Sequence, residues 1–290
     1  MNALDAETVE HWLIDFAEGE SGLAFVTVLL ALFVIECVRM YLRRGLTTEW
    51  WAETASSLAT QIPFYFSEIL VFTASVFVYY TLSWYVTPFH LPVDWWTVIL
   101  AVVVADFTYY WEHRKSHEIR LLWCAHAVHH SSPVYNTATA FRFSIFDPVI
   151  AAVFHIPMVL VGFDPILVFF GEVLVLAYQG WIHTEAIGRL GPLEWVLNTP
   201  SHHRVHHGSD DKYLDRNYGG ILIVWDRMFG TFAAEEETPT YGLTEPLNTQ
   251  NPIKVWFGEV WRLMGDMARA RSAGEAWRYL ARRPGWRPKD

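Results

Sequence analysis

The chain has 290 residues, of which 52% are apolar and 16% aromatic, and its formal net charge at pH 7 is −10. A negative chain without a basic stripe of interleaved aromatic residues argues against nucleic-acid binding. Two cysteines far apart in the sequence argue against a disulfide framework. The apolar runs instead predict one all-α, polytopic membrane domain over residues 1–290.

Four apolar segments are long enough to cross or enter a bilayer, whose hydrocarbon core is roughly 30 Å thick. They are residues 22–42, 64–87, 94–112 and a further stretch over 145–180. The first segment ends in Arg39, Arg43 and Arg44, whereas the residues before it contain no Lys or Arg. The positive-inside rule therefore places the N-terminus outside and residues 43–63 in the cytoplasm.

Prolines and glycines interrupt residues 145–180, which predicts a helical hairpin with its tip near residues 162–165, either spanning or re-entrant. Residues 181–250 are more polar and rich in turns, and we interpret them as a cytoplasmic cap. Residues 252–283 place apolar residues at helical spacing among many arginines. This pattern is typical of an amphipathic helix on an anionic leaflet, or of a helix packed on the cap.

Histidines form the most specific pattern in the chain. Nine of the thirteen occur as one His-x-x-x-His box, two His-x-x-His-His boxes and one isolated residue. Neutral imidazole is a common ligand of zinc, copper, iron and nickel, and spacings of three and four place side chains on one helix face. Nine ligands are too many for one ion, so the pattern predicts two metal ions. The predicted ligands are His113, His117, His126, His129, His130, His183, His203, His206 and His207.

Residues near the boxes are candidates for supporting roles. Asp106 lies two helical turns before His113, where its carboxylate could accept the outer N–H of a ligand imidazole or could face another helix. His202 could be a ligand, although a supporting role is favoured. The other supporting candidates are Glu112, Glu185 and Asn136. Outside the pattern, we interpret His11, His90 and His155 as ordinary polar residues.

The predicted topology brings all the histidine elements to the cytoplasmic face, including residues 113–144, which hold the first two boxes. All-imidazole ligation suits iron, zinc, copper or nickel. A dinuclear iron site that activates oxygen fits the number of ligands. A dinuclear zinc hydrolase usually includes bridging carboxylates, and none lies inside a box, although Glu112, Glu118 and Glu185 flank the boxes.

In order and orientation, these boxes resemble those of the fatty acid hydroxylase superfamily, also called the sterol desaturase family. Its members are histidine-rich, integral-membrane di-iron oxygenases. Residues 181–208 and 217–232 further resemble the alkylglycerol monooxygenase branch, which hydroxylates ether lipids, and the whole likeness covers residues 100–256. The resemblance implies that the nine histidines bind two Fe ions and that a four-helix membrane core lies beneath a cytoplasmic cap. It also implies tetrahydrobiopterin as the reductant, as in the animal enzyme.

The sequence therefore predicts a membrane-bound di-iron monooxygenase that hydroxylates a lipid C–H bond with O2, preferably in an alkylglycerol cleaved through a hemiacetal. Alternatives are a hydroxylase or desaturase of a sterol, a fatty acyl chain, a carotenoid or an ornithine lipid. A metal transporter and a receptor without activity are alternatives from other classes. The chain has no Gly-x-Gly-x-x-Gly and no haem-attachment motif, so we expect a separate electron donor: tetrahydrobiopterin, a ferredoxin or a cytochrome.

Overall fold

A computed structural model describes residues 20–43 and 45–288. The described chain is helical and contains two isolated bridges but no strands. The prediction of an external N-terminus rests on the residues before Glu20 and partly on Arg44. These lie outside the described residues. The α-helices of the described part are α1 (Glu20–Arg43), α2 (Thr48–Tyr85), α3 (Trp95–Glu118), α4 (Arg120–His130), α5 (Asp147–Leu160), α6 (Pro165–Gly180), α7 (Pro200–His206), α8 (Val224–Phe229), α9 (Pro252–Ala268) and α10 (Ala273–Ala281).

Helix α2 is much longer than the predicted span over residues 64–87. It begins after Thr47, whose hydroxyl accepts a hydrogen bond from the Trp50 N–H, and it continues through Pro63. Its first half buries polar side chains such as Glu53, which pairs with Arg142 at 3.3 Å. Residues 48–63 are therefore part of the same helix as the span and pack against the histidine-bearing region.

Large apolar side chains are exposed along α1 and the second half of α2, including Leu30, Phe66, Leu70 and Phe77. Among the described helices, α2 is the one long and apolar enough to cross a membrane. Such an exposed apolar surface on a long helix indicates membrane association. The number of spans, the cytoplasmic cap and the orientation stay predictions.

Helices α5 and α6 occupy the predicted hairpin, and residues 161–164 connect them close to the predicted tip. These helices are apolar but have only 14 and 16 residues. Helix α6 packs closely on α3 because Gly171 faces Ala101 and Ala105; a Cβ at Gly171 would lie 2.8 Å from the Ala105 Cβ. Small residues allow this backbone approach, as they do between membrane helices.

The C-terminal helices α9 and α10 pack on the helix that carries the second histidine box. Val255 and Trp256 of α9 are buried against Val128 of α4. Trp261 and Met264 of α9 remain exposed. The single helix predicted within residues 252–283 is thus two helices, which pack as in one of the two alternatives, while contact of the exposed face of α9 with a leaflet stays a prediction.

Candidate metal centre

Four segments bring the nine predicted ligands together. The end of α3 contributes the first box, α4 the second, and α7 with the residue after it the third, while His183 follows α6. The ligand atoms form two groups, and within each group they all lie within 4.8 Å of one another. The five-histidine group is His113, His117, His126, His130 and His206, and the four-histidine group is His129, His183, His203 and His207.

The Nε2 atoms converge within each group. In the five-histidine group, His126 Nε2 lies 2.9 Å from His113 Nε2 and 3.1 Å from His130 Nε2, and His130 Nε2 lies 3.0 Å from His206 Nε2. Two imidazole nitrogens that lie about 2.1 Å from one ion, at right angles to each other, are about 3.0 Å apart. The spacing therefore fits nitrogens that share an ion.

The four-histidine group has the same geometry. His183 Nε2 lies 3.1 Å from His129 Nε2 and 2.9 Å from His203 Nε2, which lies 3.2 Å from His207 Nε2. In the five-histidine group, His117 Nε2 is buried without a hydrogen-bond partner. An ion in each group would satisfy these nitrogens, so the donor set fits two metal ions.

Backbone carbonyls fix the orientation of several rings. Nδ1 of His113 bonds to the Tyr218 carbonyl at 2.9 Å, and Nδ1 of His206 bonds to the Arg216 carbonyl at 2.9 Å. In the other group, Nδ1 of His183 donates to the carbonyl of Gln179 at 2.8 Å. Because a carbonyl only accepts, the proton of each neutral ring is on Nδ1, which leaves Nε2 free for a metal.

The protonation state of the groups also suits metal binding. Burial, together with the charge of neighbouring imidazoles, holds the pKa of six histidine side chains well below the ordinary value for histidine. These belong to His126, His129, His130, His203, His206 and His207. Their rings are therefore neutral near pH 7, which is the form that binds metals.

The Asp106 carboxylate forms its hydrogen bonds with donors other than the nine histidines. Its carboxylate accepts hydrogen bonds from the backbone N–H groups of Ile221 and Leu222, at 2.6 and 3.0 Å, and from the Trp225 indole N–H at 2.8 Å. It thereby ties α3 to the segment whose Tyr218 carbonyl orients His113. Its contribution to the site is indirect.

The other supporting candidates also make no hydrogen bond to the nine histidines. Asn136 caps the 3-10 helix Thr137–Phe141, and Glu185 accepts a hydrogen bond from the Tyr241 hydroxyl at 3.2 Å. His202 is buried outside both groups, with its ring 5.4 Å from Phe232. Sequence reasoning missed Asp215, a turn residue with φ of 59°, whose carboxylate lies 3.7 Å from His117 Nδ1.

Glu112 lies beside the first box, but its carboxylate faces a cavity. Oε2 is buried without a hydrogen-bond partner and lies 4.0 Å from Nδ1 of His155, which is itself buried. His155 bonds instead to the Ala151 carbonyl at 2.9 Å. Glu118, which also flanks the box, pairs with Arg114 rather than with a histidine.

An apolar cavity of about 290 Å³ reaches both histidine groups. His113 and His126 of one group and His129 and His183 of the other line it. Its remaining wall comes mainly from α2, α3, α5, α6 and the 3-10 helix before α5, with one residue from α1, and contains many aromatic and aliphatic side chains. These include Leu29, Phe64, Phe141, Phe143, Ile150 and Leu176.

Residues 98–231, which include all nine histidines, match the family model for fatty acid hydroxylases. This part of the chain is therefore similar to fatty acid hydroxylases. The resemblance drawn from the histidine boxes is thus confirmed. No solved structure matches the chain.

Three relatives show how far the similarity extends. An alkylglycerol monooxygenase from Homo sapiens is 36% identical over 265 residues, which cover 91% of this chain and 58% of the relative. One from Xenopus tropicalis is 50% identical over 169 residues, or 58% of this chain and 37% of the relative. An ornithine lipid hydroxylase from Rhizobium tropici is 37% identical over 137 residues, or 47% of this chain and 41% of the relative. The chain thus spans about half the length of these relatives.

Proposed function

We propose that this chain is a membrane-bound di-iron monooxygenase that hydroxylates a C–H bond of a lipid, with an alkylglycerol as substrate. One observation carries the proposal: two groups of buried imidazoles meet at the wall of a single apolar cavity. The names of the relatives support the reaction class. The nine histidines are the proposed metal ligands.

Two iron ions held by these groups would supply the activation of dioxygen, one oxygen atom entering the C–H bond and the other leaving as water after two electrons and two protons are added. The chain's own residues position the substrate. Phe64, Phe141 and Phe143 form an apolar wall that holds a hydrocarbon chain beside His113 and His183. The same wall keeps water away from the reacting carbon.

The polar positions of the cavity, which include Glu68, Glu112 and Asp147, favour a substrate that carries hydroxyl groups and no negative charge. Gln61 and Glu112 line this space, and Gln61 Oε1 and Glu112 Oε2 are buried acceptors without hydrogen-bond partners. No Lys or Arg is among the described residues that line it, which disfavours a phosphate or carboxylate head. A glycerol head would donate its hydroxyl protons to both acceptors. Hydroxylation of the carbon next to the ether oxygen would then give a hemiacetal, which breaks into an aldehyde and glycerol.

A sterol, a fatty acyl chain, a carotenoid or an ornithine lipid is the alternative substrate, and desaturation is the alternative outcome. The similarity to an ornithine lipid hydroxylase favours the ornithine lipid among these. We further propose that the histidine groups lie on the cytoplasmic face of a multi-pass protein. Electrons would come from a separate donor, which is tetrahydrobiopterin, a ferredoxin or a cytochrome.

The test is turnover by the detergent-purified chain, loaded with iron and supplied with dioxygen and reductant. Alkylglycerol, sterol, fatty acid and ornithine lipid are offered separately, and products are identified by mass spectrometry. We expect a fatty aldehyde from the alkylglycerol. Hydroxylation of another lipid without aldehyde formation would contradict the substrate assignment, and the absence of any oxygenated product would contradict the reaction class.

A further inference from the structure

A polar pocket of about 440 Å³ is lined by Tyr135, whose ring lies beside the four-histidine group, and it shares no lining residue with the apolar cavity. Its wall comes from the end of α1, the start of α2 and the loops of the cap. The polar pocket is lined by Glu36, Arg39, Met40, Trp50, Tyr135, Asn136, residues 185–189, Arg204 and residues 235–238. Neither the substrate nor the proposed metal ligands use this space.

Two hydrogen-bond donors in the wall have no partner. Trp50 is only 4% exposed, yet its indole Nε1 makes no hydrogen bond, and the same is true of the buried Nη1 of Arg39. Buried donors without partners are rare because their loss of hydration is not compensated. Both residues line the polar pocket, so a ligand with acceptor atoms placed there is the candidate partner of these donors.

The charges of the wall favour an uncharged ligand. Five glutamates but only three arginines line the polar pocket. Arg204 is already neutralised by Glu235, with N–O distances of 2.6 and 2.7 Å. A phosphate or a dinucleotide would therefore meet net negative charge. The Glu185 carboxylate offers an acceptor to the N–H groups of a neutral ligand.

Tyr135 lines the polar pocket and also lies beside the proposed metal centre. The Tyr135 ring lies 5.0 Å from the ring of His207 and 5.8 Å from that of His183, measured between centroids. It also stacks on Tyr241 at 4.7 Å, which fixes its orientation. A molecule in the pocket would thus lie close enough to exchange electrons with a centre held by the four-histidine group.

We propose that the polar pocket binds the small-molecule electron donor, an uncharged reduced nitrogen heterocycle. Its carbonyl or ring nitrogen accepts hydrogen bonds from Trp50 and Arg39, and its N–H groups donate to Glu185. The donor loses two hydrogen atoms, as two electrons and two protons, and these reduce one oxygen atom of O2 to water while the other enters the lipid. The inference rests on the proposed oxygenase function for its role, but the binding site itself does not.

The test measures binding before it measures turnover. Tetrahydrobiopterin is titrated without oxygen or lipid into the purified full chain, and heat release gives Kd. Trp50→Phe keeps the ring but removes the donor, and Arg39→Met removes the other donor; we expect each to raise Kd about tenfold, the effect of one lost hydrogen bond. Trp51→Phe is the matched control, since Trp51 is half-exposed and does not line the polar pocket.

In turnover, Trp50→Phe should raise KM for tetrahydrobiopterin and leave KM for the lipid unchanged. No binding to the wild-type chain, or equal binding to Trp50→Phe and Trp51→Phe, would overturn the inference. So would turnover that depends on a ferredoxin and ignores tetrahydrobiopterin. Binding that depends on Trp50 without any lipid oxidation would instead contradict the proposed function and leave the pocket assignment in place.

Discussion

The imidazole rings of His130 and His207 stack with their centroids 4.3 Å apart and an angle of 23° between their planes. One ring belongs to each histidine group, so the two groups share a common boundary. We predict that His207→Ala removes one metal ion per chain and leaves the five-histidine group loaded. Metal analysis of the purified variant measures this loss.

The control for this substitution is His202→Gln, in the short helix α7 that ends just before His207 but outside both groups. It should retain the metal content of the wild-type chain. An equal loss of metal in His202→Gln and His207→Ala would show that the division into two groups does not describe the ligands.

The Asp106 carboxylate supports the site indirectly, by accepting hydrogen bonds from the backbone of the segment that follows Tyr218. Asp106→Asn exchanges one carboxylate oxygen for an amide N–H, which cannot accept from Ile221 or Leu222. We expect a loss of about 1–3 kcal/mol in the free energy of unfolding, because buried donors lose their acceptor. Thermal unfolding in detergent measures it. A stability equal to the wild-type value would indicate that this link does not hold the Tyr218 segment in place.

The Glu112 carboxylate should select for hydroxyl-bearing substrates. Glu112→Leu removes the acceptor from the cavity wall, and we expect KM for an alkylglycerol to rise about tenfold, while a plain dialkyl ether is affected less. Gln61→Leu should act in the same direction, because Gln61 lines the same cavity and its Oε1 has no hydrogen-bond partner. Competition between the two lipids, followed by mass spectrometry, measures the preference. If both variants kept the wild-type preference for the alkylglycerol, these side chains would not take part in substrate recognition.

The orientation in the membrane can be tested with single cysteines introduced after Cys37 and Cys124 are replaced by serine. His90 is exposed in the segment between α2 and α3, and Lys212 is exposed in the loop after α7. We predict that an impermeant maleimide labels His90→Cys in intact cells and Lys212→Cys in inverted vesicles. Labelling of both positions from one side would contradict the proposed topology.

Eight of the nine histidines could be found from the sequence because they form complete boxes, whereas the isolated His183 has no spacing signal of its own. Helical periodicity also placed Asp106 on the face of His113, but periodicity does not identify the hydrogen-bond donors that its carboxylate meets in the fold. Three donors from the segment after Tyr218 occupy it. That contact joins residues more than one hundred positions apart, which no local pattern encodes.

The orienting carbonyls and the polar pocket were missed for the same reason. Any residue has a backbone carbonyl, so the roles of Arg216, Tyr218 and Gln179 do not depend on their side chains. They therefore cannot be recognised from residue types. The pocket is assembled from separate segments that meet only in the fold. The length of α2 was underestimated because its first half is polar, although that half is helical and buried at the site.

The most direct test of the central claim is an iron titration of the metal-free chain, with turnover of an alkylglycerol measured at each step. The two histidine groups predict that activity rises until two iron ions are bound per chain and then stays constant. Full activity at one bound ion per chain would contradict a dinuclear centre.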